Sequence, residues 1–490
     1  MLDNKGFRNV AWLGLILISI FLVLVFRPLT VAATARHYNE LEFPPLKEVQ
    51  LPEYDRYELD NGMVVYLVED HDLPLVSGSA LIRTGSRLEP SEQIGLADLV
   101  GMVMRSGGTE KHSPDQLNQM LEQRAAIVET SINNSSGSAG FEALSEDLET
   151  VFNLFAEVIR YPAFLADKLE LAKTQIRGGI ARRNDDPGDI ASREFRKLIY
   201  GESSPYARTI EYKTLDNIDG EDVINFYQQY FHPDKIILGI VGDFEREKMK
   251  RLVEKAFGDW KSSSTATESS IPSASQKYEG GIFFVNQPQL TQSNIMLGHL
   301  GGKLDSPDYP ALSVLNGVIN GFGGRLYNEV RSRQGLAYSV YGLWSPRYDY
   351  PGMFIAGGQT RSDATVTFVK SILSEIEKIR NTPITKEELA YAKESILNSF
   401  VFNFQDPGQT LSRLMRYEYF GYPADFIFKY QQGVKATTIK DVQRVAQKYL
   451  QPEQIVTLVV GNAEEIQPPL SSLGKEVKTV DISIPQPQSS

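Results

Sequence analysis

The sequence predicts an α+β protein made of two copies of one unit, each of roughly 200 residues. Three observations point there. Short residue sets recur at a nearly constant offset, apolar runs of strand length and helical patterns occur together in the first half, and a Ser-, Thr- and Ala-rich stretch at 261–280 separates the halves. Asp186-Pro187-Gly188 returns as Asp406-Pro407-Gly408 at an offset of 220 residues. Leu169, Ala172, Lys173 and Ile176 return at that offset as Leu389, Ala392, Lys393 and Ile396, and Arg193, Arg196 and Gly201 return as Arg413, Arg416 and Gly421. Val241-Gly242 matches Val460-Gly461 at an offset of 219, and Gly95–Gly108 is echoed by Ala311–Gly324 at 216, which sets Gly101 on Gly317.

Taken in order, the chain opens with Lys5 and Arg8 ahead of an apolar run, Val10 to Phe26. Such a run spans about 25 Å as a helix, short of the roughly 30 Å of a bilayer core. Ala33-Thr34-Ala35 then offers a small-residue cleavage site. Residues 1–35 are therefore read as a signal peptide, with an uncleaved membrane anchor as the alternative. Both place the body outside the cytoplasm, in a periplasmic or equivalent space. Residues 36–55 are a connector. The first lobe, 56–260, begins with Tyr57–Leu59, the turn Asp60-Asn61-Gly62 and Met63–Val68, a hairpin signal. Leu75–Thr84 reads as a further strand. Helical spacing follows over Gly95–Met104, Ser113–Gln123, Leu144–Arg160 and Ala166–Arg183, and Ile236–Gly242 reads as a buried strand. A flexible linker is expected at 261–280, a second lobe at 281–462, and disorder in the Pro-, Ser- and Gln-rich tail at 463–490.

Composition narrows the function. With 490 residues, of which 42% are hydrophobic, the chain can build more than one core. A net charge of −12 argues against a nucleic-acid partner, which would need clustered Lys and Arg. The absence of cysteine excludes disulfides, thiolate metal sites and a cysteine nucleophile.

The segment Gly95-Leu96-Ala97-Asp98-Leu99-Val100-Gly101-Met102, closing on Gly107-Gly108-Thr109, resembles the zinc helix of the pitrilysin and mitochondrial-processing-peptidase family. In that family an inverted zinc motif, H-x-x-E-H, stands between a Gly-Leu-Ala lead-in and a Gly-Thr close. Its working positions fall here on Asp98, Gly101 and Met102, and a third zinc ligand would fall near Gly178-Gly179. Gly101 has no side chain to act as base, and Met102 is a poor zinc ligand. The frame of a peptidase is present without its metal chemistry.

A second segment, Gly323-Gly324-Arg325-Leu326 through Gly335-Leu336-Ala337-Tyr338, resembles the family's arginine–tyrosine signature, with Arg331 and Tyr338 at the R-x6-Y spacing. The resemblance covers roughly residues 55–462. It implies two homologous α/β-roll lobes, each a mainly antiparallel sheet packed with helices, together forming half of a clam-shell chamber. It also implies that Arg331 and Tyr338 assist catalysis in a two-chain enzyme. Zinc, absent from this chain, would then be held by a homologous partner subunit, and unfolded peptides would be the substrates. The alternative on the same fold is a non-enzymatic peptide-binding or scaffold protein. The ordinary reading of the pair is a helix-end arginine bonded to Glu329 or Asp349 beside a half-buried strand tyrosine.

Other chemistries find little support. His37, His71, His112, His232 and His299 include no pair at helical ligand spacing. Neither a Gly-Lys-Ser phosphate loop nor a G-x-S-x-G elbow occurs. Arg182-Arg183-Asn184-Asp185-Asp186 is expected to be a helix end with a salt-bridged turn.

Overall fold

In the computed structural model of the chain, residues 49, 51–262, 271–321 and 323–486 are described. The expected signal or anchor segment, 1–35, and most of the connector lie outside them. Among the described residues no helix is long and apolar enough to cross a membrane.

Each lobe is built on a six-stranded sheet. The hairpin signal at Asn61-Gly62 produces β1 (Asp55–Glu58) and β2 (Val64–Glu69), paired antiparallel, with Gly62 at φ +88°. Next come β3 (Leu75–Ile82), α1 (Leu96–Ser106), α2 (Pro114–Glu122), β4 (Ile127–Ile132), β5 (Gly137–Leu144), α3 (Leu148–Arg160), α4 (Ala166–Arg182) and α5 (Pro187–Tyr200). The helix expected from Leu144 starts later, because Leu144 ends β5 and a 3₁₀ turn, Ser145–Asp147, intervenes. The lobe closes with α6 (Tyr212–Asp216), α7 (Gly220–Tyr230), β6 (Ile236–Gly242) and α8 (Arg246–Phe257). Its strand order is β1-β2-β6-β3-β5-β4, antiparallel except for the β2–β6 pair.

The second lobe runs β7 (Gly281–Asn286), β8 (Gln292–Leu300), α9 (Tyr309–Ile319), a π-helical turn (Tyr327–Arg333), β9 (Ala337–Ser345), β10 (Met353–Arg361), α10 (Thr365–Asn381) and α11 (Lys386–Ser399). It ends with α12 (Pro407–Phe420), α13 (Phe426–Ala436), α14 (Ile439–Tyr449), β11 (Val456–Gly461) and β12 (Val477–Thr479). Its order, β12-β7-β11-β8-β10-β9, repeats that of the first sheet at five positions, while the sixth, β12, comes from the tail and pairs parallel with β7 where β1 pairs antiparallel with β2. The repeat in the sequence is thus a repeat of topology.

The tail corrects an expectation. Residues 463–486 are ordered: β12 pairs parallel with β7, Val480 N–H donates to Phe284 O, and Ile466 and Leu470 are buried. Composition concealed the strand because the apolar residues in it and just after it, Val477, Val480 and Ile482, are few and stand between prolines and charges. Part of the expected linker is likewise fixed. Tyr206 donates to Pro272 O, and the Gln276 side chain bridges Tyr278 O and Gln454 O. Residues 263–270 lie outside the described set.

One face of each sheet carries its own lobe's helices. Val100, Phe152, Phe155 and Phe257 fill the first core, and Leu315, Phe368, Ile372 and Val445 the second. The opposite faces are covered by exchange. The first lobe's α5 lays Ile190, Phe195 and Ile199 on Phe283, Val285, Val456 and Leu458 of the second sheet. The second lobe's α12 lays Leu411, Leu414 and Met415 on Tyr66, Val68 and Ile237 of the first. Gly239 makes room for this contact, since a Cβ there would stand 2.3 Å from Met415 Sδ. Both helices start at a repeated Asp-Pro-Gly. Asp186 caps Gly188 N–H at 2.7 Å and Asp406 caps Gly408 N–H at 2.7 Å, and proline at the first helical position needs no donor.

Candidate functional site

The helix that resembles a zinc helix is seated hard on strand β4. Thr130 Oγ1 donates to Gly101 O at 2.6 Å, and Arg105 Nε donates to Val128 O at 2.8 Å. A Cβ on Gly101 would lie 2.7 Å from Ile132 N and 3.0 Å from Ser131 backbone atoms. The space a catalytic carboxylate would need is filled by strand backbone. Met102 is half-buried against the first core. Asp98 makes no hydrogen bond or ion pair among the described residues, and burial alone pushes its carboxyl up to about 6. Gly178 and Gly179 lie exposed on α4 with open space beside them. Zinc does not fit this set: one lone carboxylate, a thioether and a glycine cannot supply a tetrahedral site. Among the described residues, no group of three His, Cys, Asp or Glu side chains is placed to hold a metal.

The helix's start is held by a residue that sequence reasoning missed. Buried Glu89 accepts from Ala97 N–H at 3.0 Å and lies 3.6 Å from Arg208. Burial nevertheless pushes its carboxyl up to about 7, against those two partners. Its signal was weak, a glutamate eight residues before the N–H it caps.

The histidines stay dispersed. His71 lies between Asp243, at 2.6 Å, and Glu69, at 3.0 Å, which raises its pKa. His112 contacts Glu157, and His299 is buried, which lowers its pKa. In the charged turn at 182–186, Arg183 pairs with Glu211 at 2.8 Å and Asp186 caps α5.

Arg331 and Tyr338 are brought together at the free edge of the second sheet. The Arg331 guanidinium stands 5.0 Å from the Tyr338 ring centroid and 4.7 Å from that of Tyr327, a cation–π arrangement. Neither ordinary partner is available to it. Glu329 is taken by Arg333 at 2.6 Å, and Asp349 by Arg87 at 2.5 Å. The π-helical turn that carries Arg331 is anchored by a two-pronged Arg325–Glu388 pair, at 2.6 and 3.0 Å, and ends at Gly335 with φ +61°. Tyr338 is 86% exposed. A bulge explains this: Ala337 pairs with Thr360 but Val340 pairs with Gly358, so Tyr338 and Ser339 together oppose Gln359. Bulges re-aim side chains in this way.

Strands β4 and β9 occupy equivalent outer positions in the two sheets, and each pairs on one side only among the described strands. Beside β4 an open groove of about 680 Å³ runs over the first sheet, with Ser77, Ser79, Glu129, Glu142, Arg413 and Arg416 on its walls. On β4 the helix α1 already takes part of that edge, with Arg105 on Val128 O, whereas β9 is an outer strand of the kind to which an extended chain can add.

These features define a member of a metallopeptidase fold group whose metal helix has lost its ligands. The chain belongs to peptidase family M16. Residues 64–208 match the family model "Insulinase (Peptidase family M16)", and residues 217–396 match "Peptidase M16 inactive domain". The chain is 25% identical to the uncharacterized zinc protease YmxG of Bacillus subtilis, over 73% of this chain and 86% of that one. It is 23% identical to the non-peptidase homolog YmxG of Helicobacter pylori, over 81% and 91%. Among solved structures, a peptidase M16 inactive domain from Pseudomonas fluorescens superposes with a TM-score of 0.73 at 24% identity, over 84% of this chain and 98% of that one. The periplasmic protease PqqL of Escherichia coli superposes with a TM-score of 0.71 at 15% identity, over 86% of this chain and 47% of that one.

Proposed function

We propose that this chain is the Arg–Tyr subunit of a two-chain zinc metallopeptidase acting on unfolded peptides, exported or tethered at a membrane. The observation that carries the reading is the presentation of Arg331 and Tyr338. A tyrosine re-aimed by a bulge, with an arginine bound to no carboxylate beside it, serves no evident packing purpose. The Tyr338 hydroxyl can donate to a substrate carbonyl oxygen as negative charge develops there. Arg331 holds the tyrosine ring and can position the peptide backbone through its planar fork of donors. The homologous partner would supply the metal, its ligands and the water-activating carboxylate. An extended peptide can add as a strand at a free sheet edge. Lys5, Arg8 and the apolar run Val10–Phe26 support placement of the body outside the cytoplasm.

The test is peptide cleavage by the chain co-purified with a zinc-bearing homologue. Tyr338→Phe should leave the complex intact and lower turnover by about 10²–10³, the usual effect of losing one such donor. Turnover within about twofold of wild type, far less than that loss, would transfer support to the alternative, a peptide-binding or scaffold protein without catalysis. Dissociation of the complex would make the pair an assembly element instead.

A further inference from the structure

We propose that the cavity between the lobes at the start of α1 binds the α-carboxylate end of a peptide or amino acid, held between Arg196 and Arg347. The cavity measures about 200 Å³. It can take a ring-sized side chain, for which about 150 Å³ suffices. Arg196 comes from α5 of the first lobe and Arg347 from the β9–β10 connection of the second, and both line the cavity. Both are exposed, and neither guanidinium has a hydrogen-bond or ion-pair partner among the described residues. Tyr200 and Tyr350 line the same cavity, and both arginines favour the ionised form of each phenol. Two unpaired guanidiniums lining one small space match a carboxylate, which each can grip through parallel donors.

The other walls select among anions. Asn134 donates its amide to Pro205 O at 2.6 Å, while its Oδ1 is buried with no partner. That oxygen asks for an N–H. The last residue of a peptide carries a carboxylate and an N–H on the same carbon, and so does a free amino acid. A phosphate has no N–H beside its anionic oxygens and can carry a second negative charge, which the Asp98 carboxyl on the same wall disfavours. Glu89 is already committed to Ala97 N–H and Arg208. Tyr206 and Tyr350, stacked with ring centroids 4.0 Å apart, give an aromatic side. This site is separate from Arg331 and Tyr338 and needs no partner chain, so its success or failure is independent of the proposed subunit role.

The experiment measures binding to the full chain alone. An N-terminally labelled, unstructured peptide ending in phenylalanine is compared by fluorescence anisotropy with the same peptide amidated at its C-terminus. Free phenylalanine serves as competitor. The acid should bind at least tenfold more tightly than the amide. Arg196→Gln and Arg347→Gln should each weaken the acid by roughly tenfold to a hundredfold, the effect of losing a charged hydrogen bond. Arg361→Gln, an exposed arginine paired with Asp363 on β10, should leave binding unchanged. Competition by free phenylalanine as strong as that of the unlabelled peptide would support the site with the amino acid as its source. Weak competition would support it with the peptide end as source. Equal binding of acid and amide, no binding of the acid at millimolar concentration, or unchanged binding in both arginine variants at a native melting temperature would overturn the proposal.

Discussion

Gly101 has a packing role of its own. Its helix lies against β4, with strand backbone where a side chain would start. Gly101→Ala gains about 1 kcal/mol of helix propensity. It must also push a Cβ against Ile132 N at 2.7 Å, an overpacking that costs about 1–3 kcal/mol. The clash is with backbone, which cannot swing away, so a net loss is expected in thermal melts. Introducing the family's motif as Asp98→His, Gly101→Glu and Met102→His should therefore give a destabilised protein without stoichiometric zinc by metal analysis. A folded triple variant with one zinc per chain would contradict the closed packing. Asp98 makes the complementary point. Its folded pKa, about 6, lies above the ordinary value of 3.8, so ionising it in place costs stability. The cost is absent below about pH 4, where both folded and unfolded chains are protonated, grows up to about pH 6, and is constant above. Asp98→Asn avoids it. The variant should melt above wild type at pH 8, by on the order of 2–3 kcal/mol, and the difference should close as pH falls toward 4. A difference independent of pH would assign the gain to packing.

At the scale of elements, the recurring residues of the sequence turn out to hold equivalent joints. Lys173 on α4 donates to Ile218 O, just before α7, and Lys393 on α11 donates to Lys435 O and Thr437 O, just before α14. Arg193 grips Asn184 Oδ1 at 2.7 Å, and Arg413 grips Asn403 Oδ1 at 2.8 Å. Gly101 and Gly317 share a position but not a neighbour. Gly101 admits β4, whereas Gly317 admits Ala392 of α11, whose Cβ would lie 2.9 Å away. One edge also differs in origin. The outer strand beside β2 is β1, which precedes it in the chain, whereas the outer strand beside β7 is β12, drawn from the tail. A chain ending at Glu465 loses β12 with buried Ile466 and Leu470, each worth about 2–5 kcal/mol when emptied. It should melt far below wild type or fail to accumulate, while a chain ending at Ile484 should match wild type. Equal melting of the two would make the strand dispensable. These elements show what was legible. Periodic helices, the Asn-Gly hairpin and the Asp-Pro-Gly caps are local patterns, and the sequence displays them. The bulge under Tyr338, the seat of α1 on β4 and the tail strand depend on partners far away in the chain, and no local pattern encodes them. Arg331 and Tyr338 could be paired because their whole segment, from Gly323 to Tyr338, resembles the family's signature. Arg196 and Arg347 could not, because the fold alone brings them to one cavity.

At the scale of the molecule, the exchange of α5 and α12 decides what can fold alone. Each sheet has one face covered by its own lobe and the other by a helix from the opposite lobe. Polar contacts reinforce the exchange. Arg56 and Tyr66 of the first lobe meet Glu418 of α12 at 2.7 and 2.8 Å, and Arg87 pairs with Asp349 at 2.5 Å where both side chains are about nine-tenths buried. Half of a buried pair left without its partner is costly, by about 3–5 kcal/mol. An isolated first lobe would expose Tyr66, Val68 and Ile237 on its sheet and the apolar face of α5 as well. Residues 51–262 and 271–490 expressed separately should thus be insoluble or lack cooperative melting. Expressed together they should reassemble, because the break at 263–270 leaves all of these contacts available. The expected outcome is co-purification of the two fragments with a single melting transition near that of the intact chain. A first fragment that is monomeric, soluble and cooperatively folded on its own would show that the exchanged helices are an accessory to two independent lobes, and the interlocked reading of the fold would fail.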